Sequence, residues 1–156
     1  MKKCFCGILA AILLSVGASA DGSRQKATPI IPEGWQGVYD SMGFAPALQV
    51  GDTIYVSGMI SRLQGEGTYQ ERYANGLRQL FNNLEKMLAP SGATLDDIVE
   101  LTSFHTDLPR QLETILSVRK EMMKTLPHPA WTAVGTTALA SPDGQTEIKF
   151  TVKLKK

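Results

Sequence analysis

Residues 146–154 alternate strictly between polar and apolar side chains. The apolar positions recur at every second residue: Ile148, Phe150, Val152 and Leu154. Because successive side chains of a strand point to opposite faces, this period predicts a strand with one face in a core. Glu147 directly precedes Ile148 and is out of phase with these alternate apolar positions, so it is expected on the other face. The chain therefore needs a sheet that is covered on at least one side.

A second strong signal is a β-hairpin. Residues 47–50 and 53–60 are two β-prone segments separated only by Gly51 and Asp52, and a two-residue connection of this composition is typical of hairpins. Ser57 and Gly58 lie in the second segment, where a glycine permits close approach of another group or marks a bulge.

Two amphipathic helices are predicted between the strands. Thr68 and Glu71 form a capping box, and apolar residues follow at helical spacing until Pro90 and Gly92. Residues 98–106 are β-prone, and a second helix is expected to begin at Asp107. Its predicted buried stripe is Leu112, Ile115, Leu116, Met122 and Met123. A further β-prone segment spans residues 131–139.

The predicted order is ββαβαββ, an α+β fold with two helices on one face of a mixed sheet. The sheet face without helices needs a cover, and self-association would supply it. Residues 21–43 contain prolines and glycines without a steady period, so an extended N-terminal arm is expected before a domain at 44–156.

Residues 1–20 have the pattern of a secretory signal peptide: Lys2 and Lys3, an apolar run, and the small-residue site Ala18-Ser19-Ala20. Cleavage would remove both cysteines, Cys4 and Cys6, and with them disulfide and thiol chemistry. The product is expected to be periplasmic or secreted, without a membrane anchor. The full chain has 16 basic and 15 acidic residues, and they form no long run of one charge. This charge distribution disfavours nucleic acid as a partner.

The sequence contains no established nucleotide, metal or hydrolase motif in the mature chain, so no cofactor and no metal are expected. His105 and His128 are the only histidines. His105 is predicted to be a structural residue in a strand, and His128, between prolines, a surface loop residue.

Five segments together resemble the RidA/YjgF family: residues 47–58, 83–100, 104–108 (FHTDL), 128–133 (HPAWTA) and 147–148. The resemblance covers nearly the whole chain from residue 44. It implies a chorismate-mutase-like subunit that assembles as a homotrimer with a central barrel and a ligand cleft between neighbouring subunits. It also implies cofactor-free hydrolysis of enamines and imines to a keto acid and ammonia.

By the same resemblance, Glu147 matches a glutamate that positions the attacking water, and Ser57 and Gly58 match backbone donors at a strand end. Phe44 corresponds to a tyrosine that lines the cleft, and Ala133 to a cysteine. Trp131 stands where the family has an arginine that binds the substrate carboxylate in bidentate fashion. The expected site is therefore catalytic Glu147 with Phe44, Ser57, Gly58, Trp131 and Ala133 as substrate-binding residues.

Three hypotheses remain open at this point. The favoured one is an exported binding protein for a small uncharged, flat or aromatic molecule, with weak or altered hydrolytic activity. The second is an enamine/imine deaminase with a rebuilt carboxylate anchor, for which Arg62 is a candidate although a solvated loop arginine is the simpler interpretation. The third, an endoribonuclease, is disfavoured by the near-neutral charge and by export.

Overall fold

The computed structural model describes residues 22–155. Within them the strands are β1 (Thr28–Ile30), β2 (Ala47–Val50), β3 (Thr53–Ser61), β4 (Ile98–His105), β5 (Ala130–Gly135) and β6 (Thr146–Lys153). The α-helices are α1 (Gln36–Met42), α2 (Tyr69–Leu88) and α3 (Leu108–Met122). The predicted signal peptide, with Cys4 and Cys6, lies outside the described residues. No helix between residues 22 and 155 is both long and apolar enough to cross a bilayer.

The strands form one mixed sheet in the order β1-β2-β3-β6-β4-β5. Only the β4–β5 pair is parallel; the other neighbours are antiparallel. The predicted hairpin is confirmed as β2 and β3, with Ala47 opposite Val56 and Val50 opposite Thr53. The predicted fold class, an α+β subunit with a mixed sheet, is confirmed as well.

The core lies between the helices and one face of the sheet. The alternation predicted for the last strand is confirmed, since Ile148, Phe150 and Val152 are fully buried on the helix side. Ile54 and Val56 of β3 and Leu101 of β4 share that face. The phenyl rings of Phe81 on α2 and Phe150 pack edge to face with centroids 5.9 Å apart.

Helix α2 begins where the sequence predicts. The Thr68 hydroxyl accepts a hydrogen bond from the Glu71 amide, and the Glu71 carboxylate accepts one from the Thr68 amide at 2.8 Å. Its buried residues are Tyr73, Gly76, Leu77, Leu80, Phe81, Leu84 and Leu88. A Cβ at Gly76 would collide with the carbonyl of Arg62, so this glycine lets α2 lie close to the end of β3.

The buried face of α3 differs in part from the prediction, since Ile115 and Met123 are buried as expected. Gln111, Ile115 and Val118 are buried, whereas Leu112 and Leu116 are exposed. Gln111 takes the first buried position because its amide donates a hydrogen bond to the Tyr69 hydroxyl at 2.8 Å. The buried face of α3 therefore includes a polar side chain whose amide is hydrogen-bonded.

The N-terminal arm is not simply extended, so this expectation was wrong for part of its length. β1 pairs with β2, which extends the sheet by one strand, and α1 forms over residues 36–42. Gly43 ends α1 in the left-handed conformation with φ of 69°. The helix buries no side chain, so its sequence has no apolar periodicity that would predict a helix. It is supported by a 2.9 Å hydrogen bond from the Gln36 side-chain amide to the Asp40 carboxylate.

Candidate functional site

Glu147 lies on the sheet face opposite the helices. In the register of the sheet its neighbours are Ile60 on β3 and Phe104 on β4, both half-buried. The Glu147 side chain is itself half-buried. A carboxylate between two apolar neighbours on a sheet face is an unusual environment, since acidic residues are mostly exposed or paired.

A β-bulge brings Gly58 to this carboxylate. Val56 pairs with Phe150 and Met59 with Ile148, so Ser57 and Gly58 together oppose the single residue Lys149. A Cβ at position 58 would collide with Oε1 of Glu147. The glycine therefore provides the space that the carboxylate occupies. Gly58 both lies in a bulge and allows the close approach of another group, the two alternatives that the sequence left open.

Ser57 is fixed by the chain that precedes the hairpin. Its amide donates to the Pro46 carbonyl at 2.9 Å, and its hydroxyl donates to the Ala45 carbonyl at 2.7 Å. Because both donors are engaged inside the subunit, Ser57 positions the bulge and is not an available donor for a ligand. Phe44, one residue before Ala45, is exposed at this same end of the hairpin.

Trp131 and Ala133 lie on the other face of the sheet. In the parallel pair of β4 and β5, Trp131 is opposite Leu101 and Ala133 is opposite Ser103, and both β4 residues face the core. The sheet of one subunit thus separates these two residues from Glu147. The sequence-predicted site residues form two groups, one on each face.

The indole of Trp131 is held from two sides. Its Nε1–H donates a hydrogen bond to the hydroxyl of Ser103 at 2.8 Å, and Ser103 is fully buried. The guanidinium carbon of Arg119, on α3, lies 4.1 Å from the centroid of the indole. The N–H and one face of the ring are therefore already in contact with protein.

Both histidines have the structural roles that the sequence predicts. His105 is fully buried; its Nε2 contacts the Ser103 hydroxyl at 2.8 Å and its Nδ1 contacts the Thr146 hydroxyl at 3.1 Å. Burial lowers the pKa of His105 below its ordinary value, and burial raises the pKa of the adjacent Tyr73 phenol. His128 is exposed in a loop. No group of three or more metal-ligating side chains occurs in the part of the chain that the structure describes.

Arg62 forms no hydrogen bond or ion pair with Glu147 among the described residues, because its guanidinium has other partners. Its guanidinium forms an exposed ion pair with Asp143 at 2.8 Å and donates to the Ser141 hydroxyl at 2.7 Å. The arginine that sequence reasoning missed is Arg119. Its position four residues after Ile115 and directly after Val118, at the edge of the buried face of α3, is the signal that could have revealed it.

The two groups offer different chemistry. A half-buried carboxylate with no hydrogen bond or ion pair to another residue in the described chain can accept a proton from water. An indole with a guanidinium on its face offers a flat apolar surface next to a positive charge. One subunit by itself does not bring these groups to the same ligand.

Comparison with known proteins identifies relatives over most of the chain. The model of the family described as Endoribonuclease L-PSP matches residues 38–154. RutC family protein YjgH of Escherichia coli (strain K12) is 37% identical over 121 residues, which are 78% of this chain and 92% of that protein. A 2-iminobutanoate/2-iminopropanoate deaminase of Dermatophagoides farinae is 27% identical over 113 residues, 72% of this chain and 86% of the deaminase.

A solved structure supports the same relationship. The solved structure of protein YJGH matches this chain with a TM-score of 0.66 and a sequence identity of 36%, and the match covers 83% of this chain and 97% of that one.

Proposed function

The chain belongs to the RidA/YjgF family, and from this premise we propose that it binds a small flat metabolite and hydrolyses it weakly or with altered specificity through Glu147. The observation that carries the proposal is the Glu147 carboxylate, half-buried over Gly58 and without a hydrogen-bond or ion-pair partner in residues 22–155. A carboxylate held in this way can orient a water molecule and accept its proton.

A complete site requires a second copy of the chain. Glu147 and Trp131 lie on opposite faces of one sheet, so a ligand that contacts both must lie between two subunits. The face that carries Glu147 also exposes apolar side chains, among them Tyr55 and Val134. A homotrimer with its clefts between neighbouring subunits, as the family resemblance implies, would cover this face and combine the two groups.

Trp131 defines the expected selectivity. A charge-assisted bidentate contact in the transition state contributes about 3 kcal/mol or more, so a site that lacks it loses roughly 10² or more in rate. Small 2-imino acids, which depend on that contact for binding, are therefore expected to be poor substrates. A larger flat or aromatic molecule gains from contact with the indole.

The location of the reaction is proposed from the N-terminal sequence pattern. The signal-like segment at residues 1–20 favours a periplasmic or secreted protein. Enamines produced in the cytoplasm are short-lived in water, so an exported protein would encounter little of the 2-aminoacrylate made there. No cofactor is required for hydrolysis by a carboxylate and water.

The second candidate is enamine/imine deamination of the kind named in the Dermatophagoides farinae relative. The Arg119 guanidinium on the Trp131 ring supports this candidate, because it supplies a positive charge near the position of the family's carboxylate-binding arginine. Endoribonuclease activity, named in the family description, has less support because the chain has nearly equal numbers of acidic and basic residues.

The test is release of keto acid by purified residues 21–156 from enzymatically generated 2-aminoacrylate, with an imine of an aromatic amino acid as the second substrate. We expect low turnover of the first and higher turnover of the second. Glu147→Gln should abolish both while folding is retained. Glu100→Gln, a matched loss of charge on the same sheet face, should change neither.

Efficient turnover of 2-aminoacrylate would favour the deaminase instead. Activity that survives Glu147→Gln undiminished would overturn the role of this carboxylate.

A further inference from the structure

A small cavity lies between the C-terminal half of α3 and the start of β5. Its volume is about 280 Å³, and seven residues line it: Leu116, Arg119, Lys120, Met123, His128, Pro129 and Trp131. None of them is acidic. The cavity combines apolar walls with the basic side chains of Arg119, Lys120 and His128, the pattern of a site for a small organic anion.

The Arg119 side chain is held in place by a series of contacts that begins at Ser103 in the core. Ser103, which is fully buried, accepts the Nε1–H of Trp131 and thereby fixes the plane of the indole. The guanidinium carbon of Arg119 lies over the face of the indole, 4.1 Å from the ring centroid. A stacked guanidinium loses less conformational freedom on binding than a solvated one, because its orientation is already set.

Arg119 has no anionic partner in the described chain. Its Nε is buried without a hydrogen-bond acceptor, and no carboxylate of residues 22–155 forms an ion pair with it. Glu121, the nearest acidic residue along α3, is paired with Arg78 at 2.8 Å. Burial without compensation lowers the pKa of Arg119, which means that its positive charge is imperfectly solvated. An anion in the cavity would supply the missing partner.

We infer that Arg119, stacked on Trp131, binds the carboxylate of a small flat organic acid whose apolar body lies against Leu116, Met123 and Pro129. The cavity is near the lower limit for ligand sites, which suits an acid with one ring. The inference rests on the proposed function for the existence of a ligand and deepens it by assigning the charge of that ligand. It replaces the uncharged ligand expected from Trp131 alone.

The experiment follows the indole N–H signals of the two tryptophans by NMR during titration with benzoate. Trp131 lies in the cavity and Trp35, 45% exposed before α1, is an internal control in every spectrum. We expect benzoate to shift the Trp131 signal and leave the Trp35 signal in place. Benzamide, which has the same shape without the charge, should bind about tenfold or more weakly, the fold-change of a charge-assisted contact.

Substitutions of individual basic residues test which positive charge binds benzoate. Arg119→Gln should weaken benzoate binding about tenfold or more, and Arg119→Lys should have an intermediate effect because it keeps the charge without the planar fork. Lys124→Gln, which removes a positive charge just beyond α3 and outside the cavity, should leave the affinity unchanged. Dispersed backbone amide signals in each variant, unchanged for residues away from α3, verify that the protein is folded.

Three outcomes would overturn the inference: equal affinities for benzoate and benzamide, undiminished binding by Arg119→Gln, or no benzoate-dependent shift of Trp131. None of them depends on turnover. A protein that binds benzoate but hydrolyses nothing contradicts only the proposed hydrolysis, and a protein that hydrolyses through Glu147 but ignores benzoate contradicts only the role of Arg119.

Discussion

The carboxylate of Glu147 occupies the space in which a side chain at Gly58 would begin. The two residues lie on neighbouring strands, and the β-bulge of β3 at Ser57 and Gly58 brings them together. The position of the Glu147 carboxylate therefore requires that residue 58 has no side chain. Substitutions at the two positions are expected to have coupled effects.

Gly58→Ala should displace the Glu147 side chain with a small cost in stability. The backbone at Gly58 does not have the positive φ that disfavours alanine, and the displaced atoms belong to a flexible side chain. We expect the free energy of unfolding in urea to fall by about 1 kcal/mol, and hydrolytic activity to fall with it. The same substitution combined with Glu147→Ala should cost close to nothing. Equal effects in both backgrounds would contradict the coupling.

Self-association is expected through the sheet face that carries Glu147. Tyr55 lies on β3, the third of the six strands across this face, and is 53% exposed. In the trimer, a charged side chain at position 55 would be buried without a partner. Light scattering should give three times the subunit mass for residues 21–156, and Tyr55→Glu should reduce it. Leu126→Glu, at a loop residue that is 72% exposed, is the control and should remain a trimer. A monomer at micromolar concentration would refute the assembly.

The hydrogen bond between Trp131 and Ser103 should contribute measurably to stability. Trp131→Phe retains an aromatic ring but removes the N–H that Ser103 accepts. We expect the free energy of unfolding to fall by about 1 kcal/mol, with some further cost from the smaller ring. In Ser103→Ala, where the acceptor is already absent, Trp131→Phe should cost less. Additive effects in this double-mutant cycle would show that the bond adds little.

Stability should depend on pH through His105. Its pKa is lowered in the folded protein by burial, so the unfolded chain binds a proton more readily. The stabilisation is complete above the ordinary histidine pKa near 6.5 and is lost as the pH falls below it towards the folded-state pKa. Thermal unfolding between pH 7.5 and 5 should show this loss.

His105→Asn should flatten this dependence and lower stability at neutral pH by about 1–3 kcal/mol, because its hydrogen-bond partners Ser103 and Thr146 are buried. The comparison with His128→Asn separates a buried histidine from an exposed one. An unchanged pH dependence in His105→Asn would assign the effect to another group.

Local patterns determined much of the fold. The capping box of Thr68 and Glu71, the Gly51-Asp52 turn and the alternation around Ile148 each specify structure through residues a few positions apart. The same alternation predicts correctly that Glu147 points away from the core. Short-range backbone geometry decides these features, so the sequence is sufficient to predict them.

The tertiary structure alone decided which groups meet. The register between β4 and β5 places Trp131 on the helix side, away from Glu147, and the orientation of α3 brings Arg119 onto its ring. The same helix buries Gln111, a polar residue whose amide donates a hydrogen bond to the Tyr69 hydroxyl. Strand register and helix rotation are set by contacts between residues far apart in the chain, and local periodicity does not contain this information.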